Sequence, residues 1–202
     1  FYLAVPPIYY DAIFDNLAAS KLTLPCDDES GWTRVLVEKP FGSNLETAQA
    51  LDEKLGSLFK EEQIFRIDHY LAKDAIQNIL TFRFSNVLFE DSWDHTHVER
   101  VHIKMYENSG VEGRGAFYDP LGAFRDVGQN HMLQMLAVVA MENPGALAVR
   151  QLRESRATAL ESLRIYSAKE EVAASSVRGQ YEGYTDVKDV ANDSKSETYF
   201  LV

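Results

Sequence analysis

The sequence has almost no cysteine, no membrane-length apolar run and no excess of positive charge. Cys26 is the only cysteine among 202 residues, so no disulfide can form within the chain and a reducing compartment is expected. The longest apolar stretch, residues 132–141, contains Gln134 and is too short to span a membrane, so we interpret it as a buried helix. No signal-peptide pattern opens the sequence. We therefore predict a cytoplasmic protein without a membrane partner.

The charge balance is acidic. The chain carries 20 Lys and Arg against 31 Asp and Glu, which gives a formal net charge of −11. Nucleic acid is bound by basic surfaces, so we do not expect it as a partner. An acidic protein can still bind a small anion where basic side chains and backbone N–H groups gather locally.

The first 70 residues alternate between apolar runs of strand length and helical patterns. Strands are predicted at residues 1–5, 34–38 and 63–68, with helices at 8–19 and 44–59 between them. Connections of helix length join parallel strands, so this part is predicted to be an α/β layer. Ligands of such sheets gather beyond the carboxyl ends of the strands. Those ends are Pro6-Pro7, Glu38-Lys39-Pro40 and Asp68-His69-Tyr70.

After residue 70 the pattern becomes that of an α+β domain. Residues 98–107 alternate between apolar and polar side chains, which is typical of an antiparallel strand with one solvated face. The other predicted elements are helices at 72–83, 128–142 and 150–165, strands at 172–181 and 197–202, and loops at 108–115 and 182–195. We predict two domains, 1–70 and 71–202. Because strand-like apolar runs lie at both termini, we expect the chain to be an excerpt of a longer protein.

The most informative segment for function is Arg66-Ile67-Asp68-His69-Tyr70-Leu71-Ala72-Lys73. Lys73 lies three residues after Tyr70 and four after His69, so one helical turn would align a cation, a hydroxyl and an imidazole. With the free N–H groups of a helix start, these side chains suit a phosphate monoester. Geometry alone leaves two interpretations open: a phosphate site, or a strand end with ordinary polar caps.

This segment resembles the signature of the glucose-6-phosphate dehydrogenase family, with Ala72 where that family usually has glycine. Further motifs follow in the order of the family and extend the resemblance over nearly the whole chain, although it weakens from about residue 182. They are Phe1-Tyr2-Leu3-Ala4-Val5-Pro6-Pro7, Val37-Glu38-Lys39-Pro40-Phe41-Gly42, Glu112-Gly113-Arg114-Gly115 and Arg125-Asp126-Val127-Gly128-Gln129-Asn130-His131. The resemblance implies the C-terminal portion of a Rossmann-like NADP-binding domain, followed by part of a mainly antiparallel β+α substrate and dimerisation domain.

The activity implied by the resemblance is oxidation of glucose 6-phosphate at C1. The product is 6-phosphogluconolactone, the hydride passes to NADP, and the step opens the pentose phosphate pathway. By resemblance His131 is the general base and Asp68 its partner. Histidine suits this task because its pKa lies near working pH, and a carboxylate fixes its tautomer. Taken without the family, His131 is more simply interpreted as a buried, satisfied histidine.

The resemblance also implies the substrate contacts. His69 and Tyr70 would hold the phosphate of the sugar, and Lys73 would lie near both sugar and phosphate. Glu107 and Asp126 would accept hydrogen bonds from sugar hydroxyls, because a carboxylate offers several acceptor sites. Considered singly, these two acids are ordinary solvated surface residues.

The cofactor contacts implied by the resemblance lie at the first two strand ends. Lys39 would contact the sugar and help to place the nicotinamide, while Pro6 and Pro40 would shape the cofactor crevice. The Gly-rich dinucleotide-binding turn is not in this sequence, and the residues that read the ribose would lie upstream, so NAD stays open beside NADP. We expect this excerpt to be incomplete for activity and the full-length protein to be a homodimer or homotetramer.

Two other function classes stay open from the sequence. One is a non-catalytic sugar-phosphate-binding module, and the other is an oxidoreductase of the glucose–fructose oxidoreductase type, which also uses a Glu-Lys-Pro turn. No metal site is predicted: His95 and His97 would share a strand face, but the nearby acids supply no convincing ligand set. Cys26 is not predicted to be a nucleophile, because its acidic loop would raise the pKa of the thiol.

Overall fold

Three parallel strands form the sheet of the N-terminal part, in the order β1-β2-β3. The elements are β1 (Tyr2–Leu3), a 3₁₀ turn (Pro7–Tyr9), α1 (Tyr10–Ala19), β2 (Val35–Val37), α2 (Leu45–Leu58), a 3₁₀ turn (Glu61–Gln63) and β3 (Ile64–Arg66). The predicted parallel α/β layer is confirmed. The computed structural model describes residues 1–24 and 31–202, so the predictions for Cys26 lie outside the described residues.

An apolar core between the sheet and its two helices holds this part together. Val35 and Val37 of β2 are fully buried, and Phe14 of α1 and Leu55 of α2 pack in the same core. Helix α2 starts as predicted at Asn44, whose Oδ1 accepts the N–H of Thr47 at 2.9 Å, while Thr47 Oγ1 accepts the N–H of Asn44 at 3.1 Å. This capping box fixes the direction in which the chain leaves β2.

The carboxyl ends of the three strands are in register. Leu3 of β1 pairs with Val37 of β2, and Val37 pairs with Arg66 of β3. The N–H of Ile67 donates to the carbonyl of Val37 at 2.9 Å and extends the pairing by one residue. The residues that follow each strand therefore leave the sheet at one edge, where the sequence predicts ligand contacts.

The chain divides into two compact units, Phe1–Asp68 and His69–Val202. The second unit contains mostly helices, one long helical segment whose first part is π-helical, and a two-stranded antiparallel sheet. Its elements are α3 (Asp74–Phe84), α4 (Val87–Glu90), α5 (Gly115–Tyr118), the π-helical segment (Phe124–Met132), α6 (Leu133–Ala140), α7 (Val149–Glu161), α8 (Lys169–Ser175), β4 (Val177–Gly179), a 3₁₀ turn (Tyr184–Asp186) and β5 (Tyr199–Leu201). Within the described residues, none of the helices has the length and apolar content of a membrane span.

The predicted strand at 98–107 is wrong. These residues adopt no regular secondary structure and pair with no strand among the described residues. The alternation of burial is partly kept, since Ile103 and Met105 are half-buried while His102 and Lys104 are exposed. A period-2 pattern indicates which side faces the interior, but a strand forms only where a neighbour accepts and donates the ladder hydrogen bonds.

The predicted strand at 172–181 is wrong over its first half. Residues Lys169–Ser175 form α8, and only Val177–Gly179 form β4, which pairs with β5. Glutamate and alanine dominate the sequence of α8 and are strong helix formers, which outweighed the apolar pattern. The helix predicted at 128–142 begins earlier, at Phe124, because the preceding turn at Gly122 (φ 75°) leads directly into it.

Candidate functional site

His69, Tyr70, His131 and Lys73 gather in the second unit, and we call them the ring cluster. The ring of Tyr70 stacks on that of His131, with centroids 4.3 Å apart and planes 24° apart. The ring of His69 lies edge-on to His131, with centroids 4.6 Å apart and planes 73° apart. The Nζ atom of Lys73 lies 3.5 Å from the centroid of Tyr70. The three rings are therefore in contact with one another, and Lys73 joins them through Tyr70.

Two successive turns place His69, Tyr70 and Lys73 of the ring cluster. The N–H of Ala72 donates to the carbonyl of His69 at 3.3 Å, and the N–H of Lys73 donates to that of Tyr70 at 3.1 Å. These i→i+3 turns bring Lys73 back over the Tyr70 ring, as the spacing predicts. Helix α3 starts at Asp74, two residues later than predicted. The hydroxyl of Tyr70 donates to Sδ of Met105 at 3.6 Å, which fixes the ring at its far end.

Asp126 and His131 lie on the π-helical segment Phe124–Met132. Backbone hydrogen bonds of a π-helix run between residues five apart, so side chains at that spacing lie on the same side. In an α-helix a five-residue separation turns the side chain by roughly 140°. Both side chains are buried, with exposures of 7% for Asp126 and 2% for His131. The π-helical winding therefore turns an acid and an imidazole to the same side of the segment.

Asp126 is also an ion-pair partner. Its Oδ2 atom accepts a hydrogen bond from NH2 of Arg114 at 3.1 Å, and the guanidinium is largely exposed. The side-chain amide of Asn130 donates to the backbone carbonyl of Asp126 at 3.2 Å and to that of Arg125 at 2.8 Å. An exposed cation therefore pairs with a buried carboxylate on the segment that also carries His131.

The far end of the same helical segment is capped by two side chains that the sequence analysis missed. NH1 of Arg83 donates to the carbonyl of Val138 at 2.9 Å, and Nε1 of Trp93 donates to that of Val139 at 2.8 Å. Arg83 is buried, and its guanidinium lies 4.6 Å from the ring of Phe84 and 5.2 Å from that of Trp93. Burial lowers the pKa of the Arg83 guanidinium. The sequence near the helix end gives no signal for this cap, because Arg83 lies 55 positions and Trp93 46 positions from the carbonyl that each binds.

Replacing Arg83 with alanine should loosen the C-terminal turn of α6. A hydrogen bond from a charged donor contributes about 1.5–3 kcal/mol, and the carbonyl of Val138 would lose its donor. Amide hydrogen exchange at residues 137–141 in the full-length protein measures the loss. Arg164, which pairs with Glu171 at the surface, is the matched control, and its alanine variant should change stability by less than about 0.5 kcal/mol. Equal exchange in the two variants would contradict the capping role.

In the first unit, the predicted cofactor and sugar contacts follow β1 and β2. The hydroxyl of Tyr2 donates to Oε1 of Glu38 at 2.6 Å, and that of Tyr10 donates to the Glu38 carbonyl at 3.2 Å. The Lys39-Pro40 peptide bond that follows is cis. Gly42 (φ 97°) packs on the first turn of α2, where an added Cβ would lie 2.5 Å from the N atom of Ala48. Two tyrosines and this close approach therefore hold the turn that carries Lys39 and Pro40.

Three further predicted site residues are Pro6, Asp68 and Glu107. Pro6 is exposed and precedes the 3₁₀ turn, and Asp68 is the last residue of the first unit, two residues after β3 ends. Glu107 is exposed and lies at the end of the unpaired segment 98–107. The structure thus gathers the ring cluster and Asp126 in well-defined surroundings, whereas Glu107 lies on a segment without regular structure.

His95 and His97 lie in a turn and not on the strand that the sequence analysis assumed. Nδ1 of His97 is 2.9 Å from Oδ1 of Asp94, which also accepts the hydroxyl of Thr96 at 2.6 Å. The hydrogen bonds from Thr96 and His97 hold the pKa of Asp94 well below its usual range. Across residues 1–24 and 31–202, no group of three or more His, Cys, Asp or Glu is placed to hold a metal ion.

Two family models match consecutive parts of the chain. The model described as "Glucose-6-phosphate dehydrogenase, NAD binding domain" matches residues 1–78. The one described as "Glucose-6-phosphate dehydrogenase, C-terminal domain" matches residues 80–202. Together they extend over nearly the whole chain, including every residue to which the sequence analysis assigns a site role.

Curated relatives and solved structures give the same match. The chain is 45% identical to the cytoplasmic glucose-6-phosphate 1-dehydrogenase 5 of Arabidopsis thaliana, over 98% of this chain and 37% of the relative. It is 41% identical to glucose-6-phosphate 1-dehydrogenase of Bacillus subtilis, over 98% of this chain and 42% of that relative. The crystal structure of the Mycobacterium avium enzyme superposes with a TM-score of 0.85 at 41% identity, over 98% of this chain and 42% of that one. The structure of a glucose-6-phosphate dehydrogenase in complex with its substrate glucose 6-phosphate superposes with a TM-score of 0.85 at 36% identity. The match covers 99% of this chain and 41% of that one. The chain thus spans about two fifths of the length of the curated relatives it matches.

Proposed function

Because the chain belongs to the glucose-6-phosphate dehydrogenase family, we propose that the full-length protein oxidises glucose 6-phosphate at C1. The hydride passes to NADP, and 6-phosphogluconolactone is released. The ring cluster carries this proposal, because it groups a buried imidazole with a cation, a phenol and a second imidazole. A base beside a phosphate-binding group is what oxidation of a phosphorylated sugar requires.

His131 is proposed as the general base and Asp68 as the carboxylate that orients it. The sugar loses a hydride from C1 and a proton from the C1 hydroxyl, and the carbonyl of the lactone forms. His131 takes that proton, and its burial keeps the imidazole away from competing water. Asp68 would fix the tautomer of His131 and stabilise the imidazolium.

The substrate would be held by its phosphate and its hydroxyls. His69, Tyr70 and Lys73 supply two potential cations and a hydroxyl donor for the phosphate, and the close approach of Lys73 Nζ to Tyr70 supports a joint role. Asp126 and Glu107 are proposed as acceptors for sugar hydroxyls. The hydrogen bond from Arg114 to Oδ2 of Asp126, which fixes the carboxylate in place, supports that role.

The residues beyond β1 and β2 fit one edge of a dinucleotide site. The three strands end in register, and Lys39, Pro40 and Pro6 follow two of those ends. NADP, when bound, accepts the hydride at its nicotinamide. Lys39 would contact both the sugar and the nicotinamide, and the two prolines would shape the crevice around the cofactor. NADP is proposed as the cofactor and NAD as the alternative.

The remaining proposals concern the whole protein. Residues 1–70 would be the C-terminal portion of the NADP-binding domain, and residues 71–202 part of the β+α substrate domain. A homodimer or homotetramer is proposed for the full-length protein. The cytoplasm is proposed as its location, because relatives such as isoforms 5 and 6 of Arabidopsis thaliana are named cytoplasmic.

The test is an assay of the full-length protein with glucose 6-phosphate and either NADP or NAD. We expect reduced cofactor to appear at 340 nm with glucose 6-phosphate, and kcat/KM at least about 100-fold lower with unphosphorylated glucose, since a charged contact would be lost. Specific binding of glucose 6-phosphate without reduction of either cofactor would support a non-catalytic module instead. Turnover that does not depend on the phosphate would favour an oxidoreductase of the glucose–fructose type.

A further inference from the structure

Glu197 caps the start of the helical segment that carries Asp126 and His131. Its Oε1 atom accepts the N–H of Phe124 at 3.0 Å, and its backbone carbonyl accepts the N–H of Ala123 at 2.8 Å. The first N–H groups of a helix have no partner within the helix, so one residue here satisfies two of them. Its carboxylate also lies at the end of the helix where a negative charge is favoured.

The surroundings of Glu197 are shaped to admit its carboxylate. Gly122 has φ 75°, and an added Cβ would lie 2.6 Å from Oε1 of Glu197, so only glycine leaves this space. Glu197 is buried, and the hydroxyl of Tyr118 donates to its backbone carbonyl at 3.1 Å. Burial, with Asp126 and Glu197 nearby, raises the pKa of Tyr118 to about 12, so the hydroxyl keeps its proton at neutral pH.

The residues that follow Glu197 pack beneath the same π-helical segment. The rings of Phe200 and Phe124 meet edge-on with centroids 5.1 Å apart. An added Cβ at Gly128 would lie 2.8 Å from Cζ of Phe200, so strand and helix approach closely at that glycine. Glu197 and Phe200 therefore contact both the start of the segment and its side at Gly128.

From these contacts we infer that Glu197 is a positioning residue for Asp126 and His131. This inference rests on the proposed function. A π-helix is less favourable than an α-helix and persists only where its surroundings determine it. The hydrogen bond to the N–H of Phe124 fixes how the segment is rotated about its axis at that residue. Asp126 follows two residues later and His131 seven residues later, so this rotation sets the direction of both side chains. If the first turn were released, rewinding toward an α-helix would turn Asp126 and His131 to different sides.

The test compares Glu197→Ala, Glu197→Gln and Glu182→Ala in the full-length protein. Glu197→Ala should lower kcat about tenfold and raise KM for glucose 6-phosphate, with KM for NADP changed less than about twofold. Glu197→Gln keeps an acceptor for the N–H of Phe124 and should recover most of the activity. Glu182 is an exposed glutamate of the same unit, and its alanine variant should behave like the parent protein.

A purely structural role would give a different result. Glu197→Ala would then melt at a lower temperature but keep its kcat below that temperature, which would overturn the inference. If Glu197→Ala does not fold, Glu197→Asp, whose side chain is one methylene shorter, takes its place. Full kcat in both the Asp and Gln variants would likewise overturn the inference.

A second measurement separates this inference from the proposed function. An inactive parent protein would contradict the proposed activity alone. The ¹³Cε1–¹H signal of His131, assigned with His131→Asn, still reports how its ring is placed. We expect Glu197→Ala to shift this signal and its titration, and Glu197→Gln and Glu182→Ala to leave both in place. An unshifted His131 signal in Glu197→Ala would overturn the positioning role whether or not the protein turns over.

Discussion

Replacing His131 with asparagine in the full-length protein should lower kcat for glucose 6-phosphate oxidation by about 10²–10⁴-fold, the contribution typical of a general base. Asparagine is smaller than histidine but also polar, so the stack on Tyr70 loses a ring while the buried site keeps a polar side chain. Because Lys73 and His69 stay in place, KM for the phosphorylated sugar should change less than about threefold. Initial rates at saturating substrate and NADP measure both quantities.

The pH profile distinguishes a lost base from a disturbed fold. In the parent protein kcat/KM should fall at acidic pH as the base becomes protonated, and that limb should disappear in His131→Asn. His102→Asn, a change at an exposed histidine of the same unit, is the matched control and should keep both rate and profile. Near-normal turnover in His131→Asn would remove His131 from the role of base.

The sequence predicted the first unit well because its signals are local. Apolar runs of strand length, an Asn44 cap with Thr47 and helix-length connections together leave few alternatives to a parallel sheet. In the second unit, pairing depends on which segments meet, and residues 98–107 show that alternation alone does not supply a neighbour. The residues of α8 were also assigned to a strand, although their alanines favour a helix.

The candidate site divides in the same way. One helical turn of sequence suffices to predict that Lys73 returns over Tyr70, and the structure has that contact. The approach of His131 to Tyr70 joins residues 61 positions apart, and only the family resemblance suggested it. The π-helical winding, the Arg83 cap and the Glu197 cap have no local signature, because each depends on a backbone group exposed by tertiary packing.

Replacing Lys73 with alanine should weaken the productive binding of glucose 6-phosphate by about 10–100-fold, which corresponds to the loss of one charge-assisted contact. The reason is electrostatic: Lys73 is exposed, and its Nζ lies 3.5 Å from the centroid of the Tyr70 ring, where it can meet a dianion. Unphosphorylated glucose has no such charge, so its much lower kcat/KM should change less than about twofold. Steady-state kinetics with both sugars measure the difference.

Charge and shape can be separated at the same position. Lys73→Arg keeps a cation and should recover part of the affinity, although a planar guanidinium stacks differently on Tyr70. Lys169→Ala removes an exposed lysine from α8 and controls for the change in net charge, so it should leave both sugars unaffected. Raising the salt concentration should weaken the advantage of the phosphorylated sugar in the parent protein and have little effect in Lys73→Ala. Equal losses for glucose and glucose 6-phosphate in Lys73→Ala would show that Lys73 supports the fold of residues 69–73 and does not read the phosphate.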